Sequence, residues 1–433
     1  MPIRFSLAAF LFVALTALSA DNWPEFRGPY GDGRSDATNL PLTWSETQNV
    51  RWKTAIHDKG WSSPVVWGNQ VWLTTATEIG DKCYAVAVDR DTGKVIHDLL
   101  LFEVKVSPTK AKNPPSIAAP YEQWAMYNSY ASPTPAIEEG RVYVHFGSTG
   151  TACLDTANGK PHWKRTDLEC CHHRGAGSSP ILYGDLVILT FDGFDFQYLV
   201  ALSKKTGETV WKRDRKLHPE ERNGDMRKAY STPLVITVND RPLVVSPSAD
   251  ATAAYDAKTG EEVWRVVHGG MNASLRPVFG NGLVYTAGSD GGKPLLAVKP
   301  DGEGNVTRSH VAWTYAKAAS APNRTSVVLD GDRLFMVNSG GVISCVDART
   351  GKELKQDRLG ASGGKFWASP IIAEGKWYVF DDEGRGYVLS ADDKLTVLAT
   401  NKLAGDYRAS PAAVGNALYV RSYTHLYRIE EKK

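Results

Sequence analysis

The sequence predicts an all-β fold, an eight-bladed β-propeller built as one repeat domain. Three observations predict it: a unit of four short strands recurs, its openings are spaced evenly, and few stretches carry a helical period. The 13 Trp and 39 Gly suit packed strands joined by tight turns.

The unit is plainest between Ser179 and Lys212. Ser179-Pro180 opens a short apolar strand that ends at Gly184-Asp185. Leu186 to Phe191 reads as a second strand and Tyr198 to Ser203 as a third. Lys205-Thr206-Gly207 makes a tight turn, and Glu208 to Trp211 is the fourth strand. Four strands joined by hairpin turns make one propeller blade.

Equivalent openings fall at Ser63-Pro64, Ser132-Pro133, Ser179-Pro180, Thr232-Pro233, Arg276-Pro277, Ser326-Val327, Ser369-Pro370 and Ser410-Pro411. Blade repeats run to roughly 40–50 residues, and most of these steps agree. The two longest mark insertions. One, 107–121, is rich in Pro, Ala and Lys; the other, 213–228, is strongly charged. Both are expected as loops on one face. The closing turn recurs at Gly93, Gly159, Gly207, Gly260 and Gly351. Asp89, Asp155, Asp256 and Asp347 each stand four residues before one of these glycines, and Trp163, Trp211 and Trp264 four residues after one.

The eighth repeat lacks an outer strand after His425 to Ile429. Asn49-Val50-Arg51-Trp52-Lys53-Thr54 reads like the missing piece. The N-terminal strand is therefore expected to close the last blade and protect its free edge. Seven blades plus an extra hairpin is the alternative.

The Ala-x-Asp-x-x-Thr-Gly-x-x-x-Trp phrase, complete at Ala254 to Trp264, resembles the tryptophan-docking motif of pyrroloquinoline-quinone (PQQ)-like propellers. Other repeats carry it in part, with His97 and Lys355 at the Trp position. The resemblance implies a quinoprotein dehydrogenase-like fold, shared by quinone-dependent alcohol dehydrogenases and by the non-catalytic propeller lipoprotein of outer-membrane assembly. The motif concerns blade packing and does not itself imply a bound cofactor.

The chain divides into 1–20, 21–48 and 49–433. Arg4, the apolar run Phe5 to Leu18 and the small residues to Ala20 have the layout of a secretory signal peptide, cut near Ser19 or Ala20. A periplasmic or secreted bacterial protein is expected, with no membrane span. The first Cys after the run is Cys83, so a lipid anchor is not expected. Residues 21–48 read as an irregular cap. Glycines between Trp23 and Gly33 make no phosphate loop, because no strand precedes them and no helix follows. Fifty basic against 48 acidic residues argue against a nucleic-acid partner.

Propellers use the mouth of the central channel, where the loop entering each innermost strand presents its side chains. Three residues back from each opening stand Trp61, Tyr130, Gly177, Tyr230, Ser274, Arg324, Trp367 and Arg408. Slightly further back lie Arg174, Arg227, Lys228, Asn272, Asn323, Lys365, Phe366 and Tyr407. Aromatic faces here alternate with guanidinium groups, and Asp406 is the nearest carboxylate. Aromatic rings stack on flat or sugar-like ligands, and Arg grips carboxylate or sulfate. An anionic ligand is expected, either a small molecule or a polysaccharide.

A second candidate is Cys170-Cys171-His172-His173-Arg174. Three readings stand: a vicinal disulfide in an oxidising compartment, a soft-metal site, or a surface loop with incidental thiols. The resemblance adds that quinone-dependent alcohol dehydrogenases carry such a Cys pair over the cofactor. Cys83, Cys153 and Cys345 read as small buried residues of strands.

The function expected is an exported scaffold that binds a ligand or periplasmic and outer-membrane proteins. One alternative is a PQQ-dependent dehydrogenase with calcium; another is an enzyme acting on acidic polysaccharide. Against the dehydrogenases, the chain has no Trp-Asp segment, no evident calcium-ligand set and no Cys-x-x-Cys-His haem site. No nucleophile-elbow phrase supports hydrolysis.

Overall fold

The structure, a computed structural model, describes residues 22–104, 128–172, 175–216, 227–287, 292–360 and 364–432. They form eight antiparallel sheets of four strands, one of which gains a fifth strand in parallel. The first blade comprises Val65–Trp67, Gln70–Ala76, Lys82–Asp89 and Val95–Glu103. The first strands of neighbouring blades touch, which places them around the central axis. Burial falls outward: Val342–Asp347 in the sixth blade is mostly buried, while the outer strand Glu353–Arg358 is mostly exposed.

The core lies between blades rather than within one. Trp72, Ala85 and Ala87 of the first blade pack with Ile137, Val142 and Leu154 of the second. Each such Val, Leu or Ile stabilises the interface by about 1.5–3 kcal/mol.

The repeated turn docks one blade on the next. Asp89 Oδ1 accepts hydrogen bonds from Thr92 N (2.8 Å) and Thr92 Oγ1 (2.7 Å), which fixes the turn. Gly93 follows at φ +73°, and a Cβ there would stand 2.7 Å from the Trp52 ring. The indole of Trp52 lies flat on that turn and donates Nε1 to Arg90 O at 2.9 Å. The same bond recurs from Trp163 to Lys204 O and from Trp313 to Ala348 O, both at 2.9 Å. His97 replaces Trp in the first blade and reaches Thr156 O at 3.2 Å. Trp264 departs from this pattern. The fifth blade lacks the turn, and Trp264 Nε1 is buried without a hydrogen-bond partner. There Gly304–Asn305 instead pairs in parallel with Glu262–Val267 of the fourth blade.

Val50–Ala55 pairs antiparallel with His425–Glu430, as the outer strand of the eighth blade. Because Trp52 belongs to this strand, the seam carries both backbone pairing and a docking indole.

The arm from Trp23 onward crosses the face that bears the turns between first and second strands. Trp23 N donates to Val66 O at 2.8 Å, Ile372 N to Gly33 O at 2.9 Å, and Thr38 N to Gly415 O at 2.8 Å. Arg27 is buried on the axis and donates to Pro370 O at 3.3 Å and Val327 O at 2.6 Å. Arg276 of the fifth blade meets Glu25 at 2.7 Å and donates to Pro233 O at 3.1 Å. A Cβ at Gly31 would stand 2.8 Å from that guanidinium. The arm thus plugs one end of the channel.

The leader lies outside the described residues, as do the 107–121 insertion and 217–226 of the charged one. The rest of the charged stretch is ordered differently from a loop. Arg213 and Asp214 extend the strand Thr209–Asp214, and Arg215 is buried in a two-bonded pair with Asp192 (2.6 and 2.9 Å). No helix of the described residues is long and apolar enough to cross a membrane.

Candidate functional site

The loops entering the innermost strands meet at the end of the channel opposite the arm. Their backbone is held by pairing across blades, as where Trp61 N and Ser62 N both donate to Ala131 O at 3.1 and 3.0 Å. Trp61, Gly177, Tyr230, Ser274, Arg324, Trp367 and Arg408 line one cavity open to solvent. Seven of the eight positions picked by repeat phase therefore converge.

Within the wall, planes of opposite character alternate. Arg408 Cζ lies 4.8 Å from the centre of the Trp61 ring and 5.1 Å from that of Trp367. Arg324 Cζ lies 5.5 Å from the Trp367 ring on its own side. Trp61–Arg408–Trp367–Arg324 thus forms a stack of cation–π contacts, each worth roughly 0.5–2 kcal/mol. Trp61 continues onto Tyr423 at 4.9 Å. The Trp367 indole is fixed from behind, donating Nε1 to Asp382 Oδ2 at 3.2 Å, while Lys365 N donates to Asp382 Oδ1 at 2.7 Å. Asp406 Oδ2 stands 3.9 Å from Arg408. Burial raises the Asp406 carboxyl above its ordinary range; Arg408 opposes the shift and Asp382 adds to it.

Several predicted residues are elsewhere. Tyr130 is outside the cavity wall, with its ring over Gly80, where a Cβ would stand 2.3 Å from it. Tyr407 is buried in the core against Tyr427 (6.4 Å) and donates its hydroxyl to Ala404 O at 2.9 Å. Adjacent residues on an extended segment face opposite ways, so Tyr407 points inward where Arg408 points to the mouth. Asn323 pairs its amide with Ser339 at 3.0 and 2.9 Å and braces a loop. Lys365 is exposed and Arg227 half-buried, both outside the wall. Arg174 and His173 lie outside the described residues.

Cys170 and Cys171 are free thiols with no bond between them. Cys170 is not on a surface loop: it is buried in a core cluster with Phe191 and Tyr198, its Sγ 3.8 Å from His172 Nδ1. Burial pushes both thiols up and His172 down to about 4. Among the described residues no three His, Cys, Asp or Glu side chains group as a metal site. Cys83, Cys153 and Cys345 are buried in strands, as expected.

Phase-reading missed Asn128 and Ser132, which complete the wall. It also missed the floor, which includes Phe26 from the arm and the hydroxyls of the strand openings themselves. Those Ser-Pro and Thr-Pro pairs read as punctuation rather than as channel lining.

A calcium-bound quinone would need several oxygen donors around the ion, carboxylates above all. No Asp or Glu lines this cavity among the described residues. The arginines suit a ligand carboxylate, but the donor set for the ion does not fit.

Eight four-stranded blades, docked by Asp-x-x-Thr-Gly turns on Trp, define a propeller of the PQQ-like class. More narrowly, the sequence model of the family described as outer membrane protein assembly factor BamB matches residues 37–166, 124–214 and 195–433, and the chain belongs to that family. BamB of Shewanella oneidensis is 23% identical over 68% of this chain and 72% of its own. A tetrathionate hydrolase of Acidithiobacillus ferrooxidans is 24% identical over 57% of this chain and 48% of its own. A quinone-linked 1-butanol dehydrogenase of Thauera butanivorans is 27% identical over 58% of this chain and 41% of its own. The chain thus spans about half the length of the last two relatives. The crystal structure of BamB from Moraxella catarrhalis superposes with a TM-score of 0.59 at 14% identity, covering 88% of this chain and 99% of that one. Quinohemoprotein alcohol dehydrogenase from Comamonas testosteroni superposes at 0.66 with 12% identity, covering 95% and 81%. At these identities the superpositions show the fold alone.

Proposed function

We propose that this protein is an exported binding propeller whose channel mouth holds an anionic ligand. The observation that carries the reading is the Trp61–Arg408–Trp367–Arg324 stack in the wall of the mouth cavity. Two cations are pinned by their faces in a wall that, among the described residues, holds no carboxylate. The indole faces suit a flat or sugar-like body, and the guanidiniums suit its carboxylate, sulfate or sulfonate. The apolar leader with small residues at 17–20 supports export.

Catalysis is not part of this reading. A quinone-dependent dehydrogenase would need the ion's donor set, which the mouth does not provide. An enzyme on acidic polysaccharide would need an acid–base pair, and among the described residues no carboxylate lines the cavity. Membership of the BamB family supports a scaffold role beside ligand binding, with outer-membrane assembly proteins as partners.

The test is a calorimetric titration of the full chain with sulfated and carboxylated oligosaccharides, and separately with PQQ plus calcium. Saturable binding of the first, weakened about 10- to 100-fold by Arg408→Ala, is the expected result. Equal affinity in the variant would overturn the mouth as the site. Calcium-dependent quinone binding with dye reduction would restore the dehydrogenase.

A further inference from the structure

Below the arginines the channel narrows to a ring made by the strand openings. Seven of the eight openings donate their backbone N–H to a hydroxyl of the next blade. Ser63 N reaches Thr134 Oγ1 at 2.9 Å, Thr134 N reaches Ser179 Oγ at 2.9 Å, and Ser179 N reaches Thr232 Oγ1 at 3.0 Å. Arg276 N reaches Ser326 Oγ, Ser326 N reaches Ser369 Oγ, and Ser369 N reaches Ser410 Oγ, each at 2.9 Å. Ser410 N closes the circle on Ser63 Oγ at 3.0 Å. Seven blades supply a hydroxyl, and the eighth supplies Arg276, whose side chain turns down to hold the arm.

In every one of these bonds the hydroxyl is the acceptor. Among the described residues none of the seven donates its own proton to a protein group. All seven are buried, at most 5% exposed. Six of them line the lower cavity, a space of about 100 Å³. A buried donor left without an acceptor costs about 1–3 kcal/mol, so a ring of them calls for an acceptor in the channel. Each bond received from an N–H also polarises the hydroxyl and makes it a better donor.

The surrounding charge decides the sign of that acceptor. Arg324 and Arg408 share the wall of this lower cavity, and among the described residues no carboxylate does. Phe26 is among its lining residues and closes it toward the arm. The ring is thus the blind end of a cup bordered by two guanidinium groups.

We propose that the hydroxyl ring is a distinct subsite for an oxyanion, such as the sulfate, sulfonate or carboxylate tip of the ligand whose body lies against the tryptophans. This rests on the mouth reading and deepens it: the ligand is elongated and tipped by a group that only accepts hydrogen bonds. A free inorganic oxyanion has the same chemistry and would occupy the same ring.

Two probes distinguish the sources. Crystals of the full chain are soaked with selenate and, separately, with 4-bromobenzenesulfonate, and the heavy atoms are located by anomalous scattering. Selenate within hydrogen-bond distance of at least three ring hydroxyls supports the subsite. Bromobenzenesulfonate with its sulfonate in the ring and its bromine between the arginines supports the elongated ligand. Selenate alone in the ring overturns the ligand tip and keeps the oxyanion site. Anions at the arginines alone overturn the ring while leaving the mouth intact; an ordered water only in the ring does the same. In solution, Thr134→Val and Ser369→Ala are expected to weaken selenate binding about tenfold, and Thr232→Ser, which keeps the hydroxyl, to leave it unchanged. Wild-type affinity in both hydroxyl deletions would also overturn the ring. Should either deletion fail to fold, the wild-type soaks still decide.

Discussion

Arg27 and Arg276 at the plugged end and Arg324 and Arg408 at the open end are used in opposite ways. At the plugged end Arg27 and Arg276 direct their N–H groups at main-chain carbonyls of Pro370, Val327 and Pro233 and at the Glu25 carboxylate. Both are buried to within 2% exposure. Burial lowers Arg27 to about 9, with Asp32 opposing, so it remains charged at neutral pH. At the open end Arg324 and Arg408 are held by their faces on indoles and border a cavity. A guanidinium edge committed to carbonyls ties backbone segments together. A guanidinium face on an aromatic ring sets the plane of the group and aims it at the cavity. The first arrangement serves the fold; under the proposed function the second serves a ligand.

The largest effect that would break this comparison is on stability. Arg27→Met removes the donors of two buried carbonyls and frees the arm. It is expected to cost about 3 kcal/mol, seen as a lower melting temperature. Arg324→Met, which keeps the packing length, is expected to cost under about 1 kcal/mol. Equal losses in the two variants would mean that the arginines of both ends are structural. Arg276→Ser is the more informative companion. It places an eighth hydroxyl where Thr232 N has no hydroxyl to reach, yet strands Glu25 and two carbonyls. A net loss of about 2 kcal/mol is expected, and a gain in melting temperature would show the plug to be dispensable.

The next effect is on binding. Arg408 touches both tryptophans and Arg324 only one, so Arg408→Ala is expected to lose more affinity for a sulfated probe. About 100-fold against about 10-fold is the expected order. Calorimetry of the two variants checks it, and the reverse order would shift the centre of the site toward the Arg324 side.

How much of this was legible beforehand differs between the two ends as well. Blade count and docking turns follow from Asp, Gly and Trp at fixed offsets, because each turn needs a positive φ and each indole a flat seat. The same phase located Arg324, Trp367 and Arg408, since the opening dipeptide fixes where each loop meets the axis. It erred at Tyr407, one residue away, because an extended backbone turns neighbouring side chains to opposite faces. It erred at Tyr130 because it opened the second blade two residues early: the strand starts at Ala136 and Thr134 takes the ring position, so Ser132, not Tyr130, is the equivalent residue and lines the mouth. The plug could not be read at all. Arg27 acts on Val327 and Pro370, some 300 residues on, and no local pattern records a contact between an irregular arm and the channel floor. The hydroxyl ring was written in plain view at the strand openings, but its meaning needs eight blades closed in a circle.

The smallest effect separates the mouth's own charge from that of its ligand. Asp406 is half-exposed, with its carboxylate 3.9 Å from Arg408. Burial and the neighbouring Asp382 raise its carboxyl above the ordinary range, against the pull of Arg408. A carboxyl raised on folding adds stability that is present below its unfolded pKa and lost as pH rises through the folded value. The same titration acts on binding. Ionised, Asp406 competes with an anion for Arg408; protonated, it does not. Affinity for an anion that stays ionised, such as selenate, is therefore expected to rise as pH falls through the raised Asp406 value. Asp406→Asn should remove that slope and strengthen binding at neutral pH by about twofold to fivefold, the scale of one exposed ion pair. Arg27 at the plugged end supplies the control, because the Pro370 and Val327 carbonyls it meets do not titrate. A pH slope that survives in Asp406→Asn would place its origin outside the Arg408 contact and remove Asp406 from the site.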